Sequence, residues 1–142
     1  MYLLALFTLY FCIFIQLISQ KNMPHIVLDK KINLFDFSIL FKPLFQKSPL
    51  IKIHKMYVDS EGSNALFSTV VIDDSHHEFF IQVMTNDERT TIRLLPITDP
   101  KKTDAVKQSL ANLGLEIQRY YPDMKVIKSN LWDYLKIPMT NE

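Results

Sequence analysis

Between Pro100 and Tyr121 the apolar positions Val106, Leu110, Leu113, Ile117 and Tyr120 or Tyr121 recur at three- and four-residue steps. That spacing predicts one long amphipathic helix. Lys102, Lys107, Gln108, Asn112, Glu116 and Arg119 fall mainly on the opposite side. Asp99 is the expected N-cap, and Pro100 the first helical residue, where a missing N–H costs nothing. Pro122 ends the helix by pushing its predecessor out of the helical region. Upstream the period changes to two. Leu50–Val58, Ala65–Ile72, Glu78–Thr85 and Thr90–Leu95 read as strands, separated by polar turns. Such a run predicts an antiparallel meander. His25–Asp29 adds a short strand before it, and Met124–Ser129 a last strand after the helix.

Asn33–Lys47 carries two patterns. Leu34, Phe37, Phe41 and Leu44 make a helical face, while Phe35, Phe37, Ile39 and Phe41 alternate as in a strand. Pro43 forbids one smooth helix, so two short helical turns are expected, with Asn33 capping the first. Asn130 is placed to cap a closing turn that holds Leu131, Trp132 and Leu135. The order β-α-β-β-β-β-α-β defines an α+β fold: an antiparallel sheet of about five strands covered by one long C-terminal amphipathic helix, preceded by an N-terminal hydrophobic helix. At the level of fold this order is similar to helix-grip ligand-binding folds, in which an early helical segment and a late long helix embrace a curved sheet.

The first twenty residues carry no charged side chain, and Tyr2–Ile18 is interrupted only by Thr8 and Gln16. A helix of that length approaches the roughly 30 Å of bilayer hydrocarbon. Three readings follow: a single transmembrane anchor, a cleaved signal peptide lacking its basic start and cleavage site, or a translation start at Met23. Residues 1–22 are therefore set apart as a hydrophobic segment, with 23–142 as one small domain. Lys21, Lys30 and Lys31 follow the segment, so a single-pass protein would keep its domain on the cytoplasmic side. A start at Met23 would give a soluble cytoplasmic protein.

Charge is blocked along the 142 residues although the net is only +1. Lys21–Lys55 holds seven lysines and two acids, Met56–Glu88 seven acids and no Lys or Arg, and Arg89–Glu142 nine Lys or Arg and six acids. Without a dominant basic field, no nucleic-acid partner is expected. Two glycines exclude a glycine-rich phosphate loop, and the single cysteine, Cys12, excludes an internal disulfide. No G-x-S-x-G, H-E-x-x-H or C-x-x-C sequence occurs, and no cofactor is implied.

Asp73, Asp74, His76, His77 and Glu78 form the densest group of metal-ligand or acid–base types. Imidazole with carboxylate suits zinc or iron. Against that stands the plainer reading of a solvated turn, since all five lie in one hairpin. Asp59 and Glu61 share a sheet end with Asp87 and Glu88, where oxygen ligands could meet a hard cation, although the plainer reading is a solvated acidic rim. His54 and Arg93 interrupt apolar strands; such an arginine holds an anionic ligand against the sheet, pairs with an internal acid such as Glu78 or Asp104, or, as the plainer reading, reaches water along its stem.

Met23-Pro24-His25-Ile26-Val27 resembles the amino-terminal start of tautomerase-superfamily enzymes. The resemblance implies a free prolyl nitrogen at Pro24 as general base and Arg93 as the anion-binding group. That chemistry requires Pro24 to be the first residue; within the chain its nitrogen is an amide. The main expectation is instead a non-catalytic binding or interaction domain. One site is the space between helix and sheet, with Phe79, Ile81, Leu110 and Ile117 lining an apolar ligand. The other is the second sheet face around Phe80 and Met84, open to a protein partner or a second copy of the chain.

Overall fold

A computed structural model describes residues 2–136. The elements run α1 (Tyr2–Asn22), β1 (His25–Leu28), α2 (Leu34–Leu40), β2 (Leu44–Gln46), β3 (Leu50–Val58), β4 (Asn64–Ile72), β5 (His76–Thr85) and β6 (Thr90–Leu94). A 3₁₀ turn (Pro96–Thr98) leads to α3 (Asp104–Tyr120), β7 (Val126–Ser129) and α4 (Trp132–Leu135). All seven strands join one antiparallel sheet in the order β2-β3-β4-β5-β6-β1-β7, curled as a half-barrel around α3.

The expected architecture needs correcting in three places. The sheet has seven strands, not about five. Leu44–Gln46, expected as a helical turn, is the edge strand β2: Pro43 forces Lys42 toward extended backbone, and the next residues pair with Ile51–Ile53. The added strands lie at both edges: β1 and β7 extend the sheet beyond β6, as β2 does beyond β3.

The long helix is not the C-terminal element and does not begin at Pro100. It starts at Asp104, because the Thr103 hydroxyl accepts the Val106 N–H at 3.2 Å, while the Asp99 carboxylate accepts from Lys102 Nζ at 3.0 Å. The last helix, α4, is a single turn. The polar positions Gln108, Asn112 and Glu116 are buried rather than solvent-facing. Gln108 Nε2 donates to Asn112 Oδ1, and Asn112 Nδ2 to Gln46 Oε1 on β2, so the edge strand supplies partners a solvated face would have taken from water.

The membrane placement is also overturned. Among the described residues no helix is long and apolar enough to cross a membrane. The side chains of Leu3–Ile13 on α1 are exposed. The expected domain end at residue 142 lies outside the described residues.

The core lies on the concave face of the sheet. Ile26, Ile53, Phe67, Ile81 and Leu94 alternate inward and meet Val106, Leu110, Leu113 and Ile117 of α3. At one end Phe37 of α2 gathers Phe41, Phe67, Tyr120 and Tyr121 at ring separations of 6.0–6.3 Å. Gly114 lets α3 approach the sheet closely: a Cβ there would lie 3.0 Å from Ile26 Cδ1.

Candidate functional site

The convex face of the sheet is built by the alternate residues. Cross-strand pairing places Lys52, Val70 and Glu78 in one row, Lys55, Ser68 and Phe80 in the next, and Tyr57, Leu66, Gln82 and Arg93 in a third. A β-bulge between Ile53 and Lys55 breaks the alternation of β3. As a result Lys52, His54 and Lys55 are all exposed, whereas Ile51 and Ile53 before them are buried. The bulge is held by the Lys55 N–H, which donates to Ser68 Oγ at 3.1 Å.

An open cleft of about 340 Å³ lies on this face. Lys52 and His54 form one wall, Ser68, Val70 and Phe80 the floor, and Thr98 the end. Thr98 is seated by its hydroxyl, which accepts the Phe80 N–H at 3.0 Å and donates to Leu95 O at 3.3 Å. The Tyr57 ring stands edge-on to Phe80 with centroids 6.5 Å apart. Glu78 closes the remaining side, its Oε1 3.3 Å from His76 Nε2. Across the strands this convex face carries Lys52, Lys55, Arg93 and Lys128 against the single acid Glu78.

The two apolar sites expected from sequence fare differently. Phe79, Ile81, Leu110 and Ile117 are all buried members of the continuous core. Phe80 and Met84 are half-buried on the convex face, and Phe80 floors the cleft. Arg93 also lies on that face, its Nε donating to Gln82 Oε1 at 3.0 Å.

Pro24 and Arg93 do not face each other. Pro24 is buried in phase with Ile26 and Leu28, while Arg93 stands beside its cross-strand neighbour His25 on the opposite face.

The Asp73–Glu78 group is divided by the pleat. His76 and Glu78 point to the convex face, His77 to the other, and Asp74 is exposed. His77 Nε2 meets both Ser75 Oγ, at 3.1 Å, and Asp73 Oδ1, at 3.2 Å. One ring nitrogen serves both partners, so the imidazole cannot pass a proton from serine to acid, which takes two nitrogens. Asp73 is held below its ordinary value mainly by the Thr103 hydroxyl, then by the Ser75 N–H, with burial opposing and His77 adding.

Asp59 organises the β3–β4 turn, accepting the Ser63 N–H at 3.0 Å and the Asn64 N–H at 3.3 Å. Burial raises its pKa, but these bonds outweigh it and leave the carboxyl below its usual value. The β5–β6 turn with Asp87 and Glu88 lies alongside, joined by Thr85 N–H to Ser63 O at 2.9 Å. Among the described residues no group of three or more His, Cys, Asp or Glu is placed to hold a metal ion.

No family model, curated protein or solved structure matches the chain.

Lys52, Lys55, Ser68, Val70 and Thr98 are site residues that the sequence reading missed. Its one usable signal was the consecutive pair His54–Lys55 between the inward residues Ile53 and Met56, which marks a slip in phase.

Proposed function

We propose that the chain is a small non-catalytic binding domain that takes a small amphipathic molecule in the convex-face cleft beside Phe80. The observation that carries this reading is the cleft itself. Its volume, about 340 Å³, is in the range of small-ligand sites, and an apolar floor is ringed by a few polar groups. The alternative chamber between helix and sheet is occupied by the protein's own side chains, of which Ile81, Leu110 and Ile117 are fully buried. A symmetric pairing of two convex faces would bring Lys52, Lys55, Arg93 and Lys128 of both copies together, and like charges oppose it.

Backbone-amide NMR of the full chain during titration with a library of small amphipathic fragments tests the proposal. Binding is expected to move the Val70, Phe80 and Thr98 signals, and Phe80→Ala to weaken it. If the responding signals belong to other elements, or none respond, the reading is wrong.

A further inference from the structure

The cleft is electrically lopsided. Its β3 wall carries Lys52 and His54, and the bulge turns Lys55 to the same face. The acid at the cleft, Glu78, stands on β5, separated from Lys52 by Val70 of the intervening strand. Glu78 is already engaged, 3.3 Å from His76 Nε2. A ligand head group therefore meets positive charge on the β3 side, while its apolar body lies over Val70 and Phe80. An anionic head gains from that wall; a cationic head is repelled there and must compete with His76 for Glu78.

We infer that the ligand is an anionic amphiphile, a carboxylate or similar oxyanion on a short apolar chain or ring, seated with its head against Lys52 and His54. The inference rests on the proposed use of the cleft and adds the sign of the ligand's charge. Ser68 places on the floor of the same cleft a hydroxyl that accepts the Lys55 N–H and keeps its own proton to donate. The bulge is part of the specificity, because strict alternation would turn Lys55 into the core and leave a weaker field at the head-group end.

The test is an amide NMR titration of the full chain at low ionic strength with sodium octanoate and, separately, octylammonium chloride. Octanoate is expected to shift Val70, Phe80 and Thr98 and to bind more weakly as salt is added. Lys52→Glu should weaken octanoate by about tenfold and Lys52→Gln by about threefold, as expected for a solvent-screened charge contact. Lys107→Glu, on α3 beyond the opposite face, should leave binding unchanged.

Octylammonium binding as well as octanoate would overturn the anionic class while leaving the cleft as a binding site. Neither probe moving the cleft signals, or shifts confined to the exposed side chains of α1, would overturn both. The glutamine variant retains a long polar side chain at an exposed position, so it separates loss of charge from loss of fold.

Discussion

The ring of Phe35 on α2 lies against Gly62 in the β3–β4 turn, so closely that a Cβ at residue 62 would come within 2.9 Å of Phe35 Cδ2. Gly62 also has φ of +72°, in the left-handed region, and its N–H donates to Asp59 O at 3.1 Å. The turn therefore needs glycine twice over, for backbone conformation and for space. Gly62→Ala is expected to destabilise the fold by about 1–3 kcal/mol, combining backbone strain with the clash. Phe35→Ala in the same chain should return part of that loss, because only the clash depends on the ring. Urea unfolding of the single and double variants measures both; equal losses in the two backgrounds would remove the ring from the explanation.

Tyr121 presents the reverse case, a polar atom with no evident use. Its Oη is buried and without a hydrogen-bond partner. Burial, and secondarily the charge of Asp36, raises its pKa above 10.0. The folded state thus favours the neutral phenol. Its contribution is present below about pH 10 and is lost as pH rises through the folded value. Tyr121→Phe should raise stability by about 1 kcal/mol at neutral pH, since it removes an unsatisfied group and keeps the ring contact with Phe37. It should also flatten the loss of stability above pH 10. A lower melting temperature for the phenylalanine variant would mean that the hydroxyl has a partner after all.

Local pattern carries far along this chain and stops where distant segments decide. Phe79, Ile81 and Val83 alternate against Phe80 and Met84, so the two faces of β5 are plain from sequence. Three residues at Leu44–Gln46 cannot show a period, and their strand state comes from pairing with β3. Gln108, Asn112 and Glu116 read as solvent-facing because their chemistry is polar. Gln108 and Asn112 are buried because Gln46 and the Tyr134 carbonyl, far off in sequence, complete their hydrogen bonds, whereas Glu116 is held by Arg119 one turn further along the same helix. The cleft was hidden for a similar reason: the bulge at His54 and the folding-back of Thr98 onto Phe80 are long-range events. Only Phe80 of its floor stood out as a large apolar residue on the wrong face.

Thr103 couples the start of α3 to the β4–β5 turn. Its hydroxyl oxygen accepts the Val106 N–H, and the hydroxyl does most to hold Asp73 below its ordinary pKa of 3.8. A carboxyl depressed in the fold contributes stability that is present above its unfolded value and lost as pH falls through the folded one. Thr103→Ala should therefore cost about 1 kcal/mol from the lost cap at all pH values. It should cost more near pH 6 than in acid below the folded pKa of Asp73, where the carboxyl is protonated in folded and unfolded chains alike. Guanidinium unfolding of both proteins across that interval gives the comparison. A deficit that does not shrink on acidification would break the link between Thr103 and Asp73.

Glu116 is the buried charge whose partner can be removed most cleanly. Its side chain is 5% exposed, while that of Arg119, which holds it, is 63% exposed. Arg119 donates through both Nε and Nη2 to the carboxylate and lays its guanidinium 4.5 Å from the Tyr120 ring centre. The pair is asymmetric: water can replace what Arg119 loses, but not what Glu116 loses. Arg119→Ala is expected to destabilise by about 1–3 kcal/mol through the orphaned carboxylate. Glu116→Gln added to it should recover most of that, because a neutral amide is less costly to bury than an unpaired charge. A cationic stem of another shape is a poor substitute, so Arg119→Lys should fall between wild type and alanine, losing the two-pronged geometry. Denaturant midpoints for the three variants decide the matter. If the double variant is no more stable than Arg119→Ala, the buried carboxylate is not what Arg119 is there to satisfy.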